Sequence, residues 1–259
     1  MRIGSRLTVA ALALVAATGF ASAKDWTTIR VGTDATYPPF ESQDSGGKIV
    51  GFDIEILDAI CADIKATCTY VNQDFDGIIP ALVAGKFDVI DSSISITPER
   101  EKTIEFTDKY YNTPAAIIAP KDSDLKGVTK ADLAGKSIGV QSSTTHATYA
   151  EKTFTDSTIK YYPSLDPAKL DLSSGRIDAM NDDVVVLTDW LKTPDGACCK
   201  LVGTIKPVPE IHGIGAGFGV RKGDGDLKAL LNKGIADIRA NGAYKTIQDK
   251  YFTFDVYGD

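Results

Sequence analysis

Three charged residues stand at turns that strand and helix ends would expose together: Asp34, Arg100 and Asp182. Asp34 follows the β-branched run Ile29-Arg30-Val31 and precedes Tyr37-Pro38-Pro39-Phe40-Glu41. A carboxylate beside an aromatic ring at a strand end can hold a small cationic or amide-bearing molecule. Arg100 lies one turn into Thr97-Pro98-Glu99-Arg100, and a guanidinium there can grip a carboxylate with two parallel hydrogen bonds. Just before it come Ser92, Ser93 and Ser95, small hydroxyls that suit a strand poorly and that mark the expected site because they break its pattern. Ser143, Thr144 and Thr145 open a helix, where free N–H groups and the dipole favour an anion; Ser and Thr are also ordinary N-caps. Asp182 ends Ile177-Asp178-Ala179-Met180-Asn181 and offers an acceptor for an ammonium, with Asp183 as its competitor. Tyr37 and Phe75 can sandwich an aliphatic stem or a guanidinium. These groups answer a carboxylate, an ammonium and a side chain, the three parts of an amino acid, and point to binding rather than catalysis.

The elements that must position these residues alternate, which argues for an α/β fold. Ile29–Gly32 reads as a strand and Phe52–Ala66 as a helix, with Ile56, Leu57, Ile60, Cys61 and Ile64 on one face. Cys68–Val71 is a strand, and Ile78, Ile79, Leu82 and Val83 line a helix that stops at Gly85. Phe87–Ile96 reads as a third strand, followed by a helix with Thr97 as cap and Pro98 at N1. A second half repeats this grammar: Leu82 to Ile90 and Leu172 to Met180 both read helix, glycine, basic residue, apolar residue, aspartate, strand. Ser137–Gln141 is the strand that leads to Ser143. The result is two similar lobes whose strand ends face one cleft, since ligands in open α/β sheets lie outside the carboxyl ends of strands. The chain crosses between lobes at Tyr110–Pro114 and again at His212–Ala216, where glycine gives a hinge its freedom. The expected division is 1–23 signal peptide, 24–111 first lobe, 112–216 second lobe with hinges, and 217–259 completing the first lobe with two helices.

The opening 23 residues read as an export signal: Arg2 and Arg6, an apolar run from Leu7 to Phe20, and the small-x-small site Ala21-Ser22-Ala23. Cleavage after Ala23 leaves 236 of the 259 residues and, with two arginines gone, moves the net charge from −7 to −9. An acidic chain with pI near 4.9 lacks the clustered cations that nucleic acid requires. Export permits disulfides. Cys61 and Cys68 flank the end of the first helix and suit a local staple, whereas the adjacent Cys198 and Cys199 are open to a vicinal bridge, two thiols or a bond between molecules. With no CxxC and only His146 and His212 as imidazoles, neither zinc nor any cofactor is expected.

The Thr33-Asp34-x-x-Tyr37 strand end, the Ser92-Ser93-x-Ser95-Ile96-Thr97-x-x-Arg100 block, the Thr144-Thr145 helix start, the strand-end Asp182 and the Tyr251-to-Gly258 tail together resemble a known family. It comprises the periplasmic amino-acid-binding proteins of ABC transporters, in the lysine/arginine/ornithine- and histidine-binding branch, and the likeness covers Lys24 to Asp259. The resemblance implies a two-lobe periplasmic binding protein fold of type II and a Cys61–Cys68 disulfide. It implies a monomer that delivers a basic L-amino acid to an inner-membrane ABC permease. Arg100 and Thr145 would hold the carboxylate, Asp182 the α-ammonium, and Asp34, Tyr37 and Phe75 the side chain. Gln141 stands where the family often has Leu, and His146 where it often has Gln, which bears on side-chain preference. The family's relatives keep three alternatives open: an opine- or glutamine-binding receptor, a signalling receptor, and an exported cyclohexadienyl-type dehydratase with His146 and Asp183 as its acid–base candidates.

Overall fold

The computed structural model describes residues 24–258; the expected signal peptide lies outside them. Two five-stranded sheets organise the chain. The first runs in the order Thr67–Asn72, Thr28–Thr33, Val89–Ile90, Ala216–Arg221, Ile104–Tyr111. The second runs Thr158–Tyr162, Ser137–Gln141, Ala179–Asp183, Ala115–Pro120, Cys199–Thr204. In each, three parallel strands are followed by an antiparallel one. Parallel neighbours need helical crossovers, and the expected helices supply them. The two-lobe α/β architecture is as the alternating pattern implies.

A small antiparallel sheet, Thr36–Tyr37, Glu41–Gln43 and Ile49–Val50, is inserted between the first strand and the helix Phe52–Asp63. It folds Phe40 onto Tyr111 with ring centroids 4.5 Å apart and lays Tyr37 toward the cleft. Phe252, from the tail beyond the helix Ala243–Tyr251, stands edge-on to Phe52 at 5.0 Å. The tail also bonds the first crossing, Asn112 N–H to Val256 C=O at 2.9 Å. The C-terminal tail therefore packs its rings on the aromatic cluster beside the first sheet, burying large apolar area there.

The return crossing depends on glycine. Gly213 has φ +77°, and a Cβ there would sit 1.9 Å from the Ile96 carbonyl oxygen. Gly215 has φ +125° and would crowd the Tyr111 carbonyl at 2.6 Å. Only a residue without a side chain lets the crossing strand lie this close to the first lobe.

Two expected elements come out shorter. The helix ends at Asp63 rather than Ala66, because Lys65 turns left-handed (φ 59°) and the Ala66 N–H closes onto Cys61 C=O at 2.8 Å. The strand expected over Phe87–Ile96 ladders only at Val89–Ile90, with one further bridge at Ser95. Between them Ser93 takes φ 49° and its N–H turns to the Asp53 carboxylate at 3.1 Å, so a side chain replaces the ladder partner. Both cysteine pairs are bonded, Cys61 to Cys68 and Cys198 to Cys199, which resolves the alternatives left open for the second pair.

Candidate functional site

The first lobe supplies one wall of the cleft from three strand ends. Asp34, buried after Thr28–Thr33, has its N–H bonded to Ser92 Oγ at 2.8 Å and its carboxylate bonded by Thr36 Oγ1 at 2.9 Å. Burial raises its carboxyl above the ordinary range, with Thr36 and Gln141 opposing that shift. Arg100 lies in the short helix Pro98–Glu101, whose cap is Thr97, its hydroxyl accepting from Arg100 N–H at 3.2 Å. Its guanidinium donates to two carbonyl oxygens, Ser95 at 3.0 Å and Ser143 at 3.1 Å, and stands 5.4 Å from the Phe75 ring centre. Burial alone acts on it and lowers its pKa to about 10. A guanidinium held by neutral carbonyls keeps its attraction for an anion.

The second lobe supplies the opposite charge. Asp182 is fully buried at the end of Ala179–Asp183. The Tyr37 hydroxyl and the Asp183 N–H (2.7 Å) both donate to its Oδ1, while its Oδ2 has no hydrogen-bond partner. Burial raises its carboxyl to about 6. His146 Nε2 approaches it at 3.6 Å, but burial lowers that imidazole to about 4, so the neighbour is neutral. Asp183 points the other way: it caps the helix Val184–Trp190 through Val185 N–H at 2.7 Å and accepts from the Thr113 hydroxyl.

Between the walls is a cavity with about 350 Å³ of empty volume. It brings together Asp34, Tyr37, Phe75, Ser92, Ser93 and Ser95 from the first lobe. Arg100, Gln141, Thr144 and Thr145 also line it. Two expected residues lie just outside. Ser143 is at the mouth, where its carbonyl accepts from Arg100 and its hydroxyl donates to Asp76. Asp182 does not line the cavity; it is buried and accepts from the hydroxyl of Tyr37, which does. The Thr144 hydroxyl is engaged in capping, accepting from Ala147 N–H at 3.0 Å. Gln141 Nε2 crosses the cleft to Asp34 Oδ2 at 2.8 Å. With the Tyr37–Asp182 and Arg100–Ser143 bonds, it holds the lobes together.

Glu41 and His146 also border the cavity, although residue types and spacing placed neither in the site. Glu41 carried a weak signal, an acid directly after Phe40 in the segment that begins at Asp34; His146 stood out as a departure from the family pattern and as an acid–base candidate of the dehydratase alternative. A second cavity, about 580 Å³, adjoins the first and reaches the crossings at Asn112, Thr113 and His212.

The chain is similar to known proteins over most of its length. Residues 29–254 match the bacterial extracellular solute-binding proteins, family 3. The L-arginine-binding protein of Pseudomonas aeruginosa is 44% identical over 233 residues, 89% of this chain and 90% of the relative. The histidine-binding periplasmic protein of Salmonella typhimurium is 42% identical over 233 residues, 89% of each chain. Among solved structures, an ancestral arginine-binding protein bound to arginine superposes with a TM-score of 0.81 at 37% identity, covering 87% of this chain and 98% of that one. With its two lobes, its interlobe cavity and a match spanning most of its length, this chain belongs to the bacterial extracellular solute-binding proteins of family 3.

Proposed function

We propose that this protein is a periplasmic receptor that closes its lobes around a basic L-amino acid and presents the closed form to an ABC permease. The observation that carries the reading is a pair of buried opposite charges, one from each lobe, neither of them joined to an ionised side chain in an ion pair among the described residues. Arg100 is held by neutral carbonyls and lines the cavity, while Asp182 keeps a free buried oxygen, with a neutral imidazole at 3.6 Å and the pull of Lys169 acting on its carboxyl. Each is costly to leave unpaired, and a zwitterion satisfies both at once. Arg100 with Thr145 takes the carboxylate, and Asp182 takes the α-ammonium after displacing the Tyr37 hydroxyl. Ser92, Ser93 and Ser95 surround the head. Asp34, with Gln141 beside it, takes the distal cation, and Tyr37 and Phe75 flank the stem. Relatives named for arginine and histidine support the basic class.

In this proposal residues 24–111 and 217–259 form one lobe and 112–216, with the hinges, the other. The protein acts as a monomer without metal or cofactor and is exported by residues 1–23. Dehydratase chemistry is disfavoured because Asp183, its candidate acid, is engaged as a helix cap on one oxygen and by Thr113 on the other. A thermal-shift panel tests the reading, because a ligand that binds the native state raises the melting point by mass action. Arginine, lysine, ornithine or histidine should give the largest shift at equal concentration. A larger shift with glutamate or leucine contradicts the assignment.

A further inference from the structure

Around Ser93 the first lobe buries three carboxylates to which the proposed recognition assigns no role, although Glu41 borders the cavity. Glu41, Asp53 and Asp91 are at most 1% exposed. Asp53 Oδ2 accepts three hydrogen bonds, from Ser93 N–H at 3.1 Å, Ser93 Oγ at 3.1 Å and the Tyr110 hydroxyl at 2.5 Å. Ser93 Oγ also lies 3.0 Å from Glu41 Oε2, and the Tyr110 hydroxyl 3.5 Å from Asp91 Oδ1. Asp53 Oδ1 and Asp91 Oδ2 have no hydrogen-bond partner. The remaining titratable groups that bear on the trio are Tyr111, Tyr70, Tyr244 and Asp58, none of them cationic.

Three like charges cannot all ionise in one buried site. The member that keeps its charge is the one receiving the donors, Asp53. Burial raises its carboxyl only to about 6, against the pull of Tyr110, Glu41 and Ser93, whereas Glu41 and Asp91 are pushed well above the ordinary range. Near neutral pH the trio therefore holds protons on Glu41 and Asp91 and a charge on Asp53.

A serine hydroxyl has one hydrogen and two lone pairs. An ionised Asp53 draws the Ser93 hydrogen inward, and a protonated Glu41 donates to one lone pair, which leaves the other toward the cavity that Ser93 lines. We propose that Asp53 is a positioning residue for recognition: it fixes Ser93 as a hydrogen-bond acceptor toward the cleft, so that Ser93 selects a primary ammonium. The inference rests on the amino-acid reading and adds a selecting group on the first lobe. As pH falls and Asp53 takes up a proton, its own O–H can donate to Ser93 Oγ. The serine hydrogen then turns outward and opposes the ammonium.

The test is a cycle of wild type, Asp53→Asn, Ser93→Ala and the double variant, each titrated calorimetrically with L-arginine at neutral pH after circular dichroism has verified folding. Asp53→Asn should weaken binding about tenfold or more with Ser93 present, and about twofold or less in the Ser93→Ala background. Equal losses in both backgrounds, or no loss in the single variant, overturn the proposal. If Asp53→Asn does not fold, Tyr110→Phe replaces it. This variant removes a donor from the Asp53 carboxylate and raises its titration, so the pH at which arginine binding is half lost should move upward. That shift should vanish in the Ser93→Ala background, and an unmoved midpoint with Ser93 present overturns the proposal. Wild-type protein that binds no amino acid overturns the functional reading together with this one. Wild-type binding with uncoupled variants overturns the positioning role alone.

Discussion

Asp88 in the first lobe and Asp178 in the second have the same structural role. Each follows a helix, a glycine and a basic residue, and each carboxylate bonds the backbone N–H of a neighbouring strand, Arg30 at 3.1 Å and Ser137 at 2.7 Å. Their own N–H groups return the bond to Arg30 C=O at 2.7 Å and Ser137 C=O at 2.9 Å. The lobes differ in the segments that leave their strand ends. The first lobe inserts the small sheet that carries Tyr37 and Glu41, and sends the chain out of its ladder at Ser93 on the way to Arg100. The second lobe passes directly from strand to helix, from Asp182 to the Asp183 cap and from Gln141 to the Thr144 cap. A common scaffold thus sets two walls, and the departures at strand ends give one wall a cation and the other an acid.

That contrast can be broken first at the charges. Arg100→Ala should weaken arginine binding about 100-fold or more, because removing one side of a desolvated charge pair costs about 2–5 kcal/mol. Asp182→Asn should cost less, on the order of 30-fold, since the amide oxygen still accepts from the ligand; calorimetry on both variants measures the difference. An effect below about threefold for either would remove that wall from the site.

The pH dependence sharpens the comparison next. In the proposed site Asp182 must be ionised to hold the ammonium, and its carboxyl stands at about 6. Affinity should be level above that value. As pH falls below it, the protonated fraction grows and the dissociation constant should rise by about tenfold per unit. In Asp182→Asn this contribution disappears, and only the weaker fall linked to Asp53 and Ser93 remains.

The smallest effects concern the disulfides, which differ between lobes in the loop they close. Cys61–Cys68 spans a sequence separation of 7, and its loss should cost about 2–3 kcal/mol of stability in the chain-entropy account. For a chain of this size that lowers the melting temperature by roughly 5–10 °C. Cys198–Cys199 joins adjacent residues and closes no loop, so Ser substitution there should leave melting and arginine affinity nearly unchanged.

Much of this was legible where neighbours in sequence are neighbours in space. Thr97, Pro98 and Arg100 announced a capped helix carrying a guanidinium, and Gly213 a tight crossing, because backbone and cap requirements act within a few residues. The parallel between Leu82–Ile90 and Leu172–Met180 revealed the repeated unit for the same reason. Asp53 and Asp91 were hidden, since one reads as a helix N-terminal acid and the other as part of a strand until Ser93 and Tyr110 bring them together. The placement of Asp182 behind Tyr37 was equally invisible, because the two are 145 residues apart and belong to different lobes.

Calorimetric titration of ligand-stripped, refolded protein with L-arginine and with agmatine, its analogue lacking the carboxylate, is the most direct test of the facing-charge account. One arginine per chain should bind with a micromolar or tighter dissociation constant, a range open to a ligand of about a dozen heavy atoms; agmatine should bind at least about 100-fold more weakly. Equal affinity for both compounds, or no heat from arginine, lysine, ornithine or histidine, would contradict it.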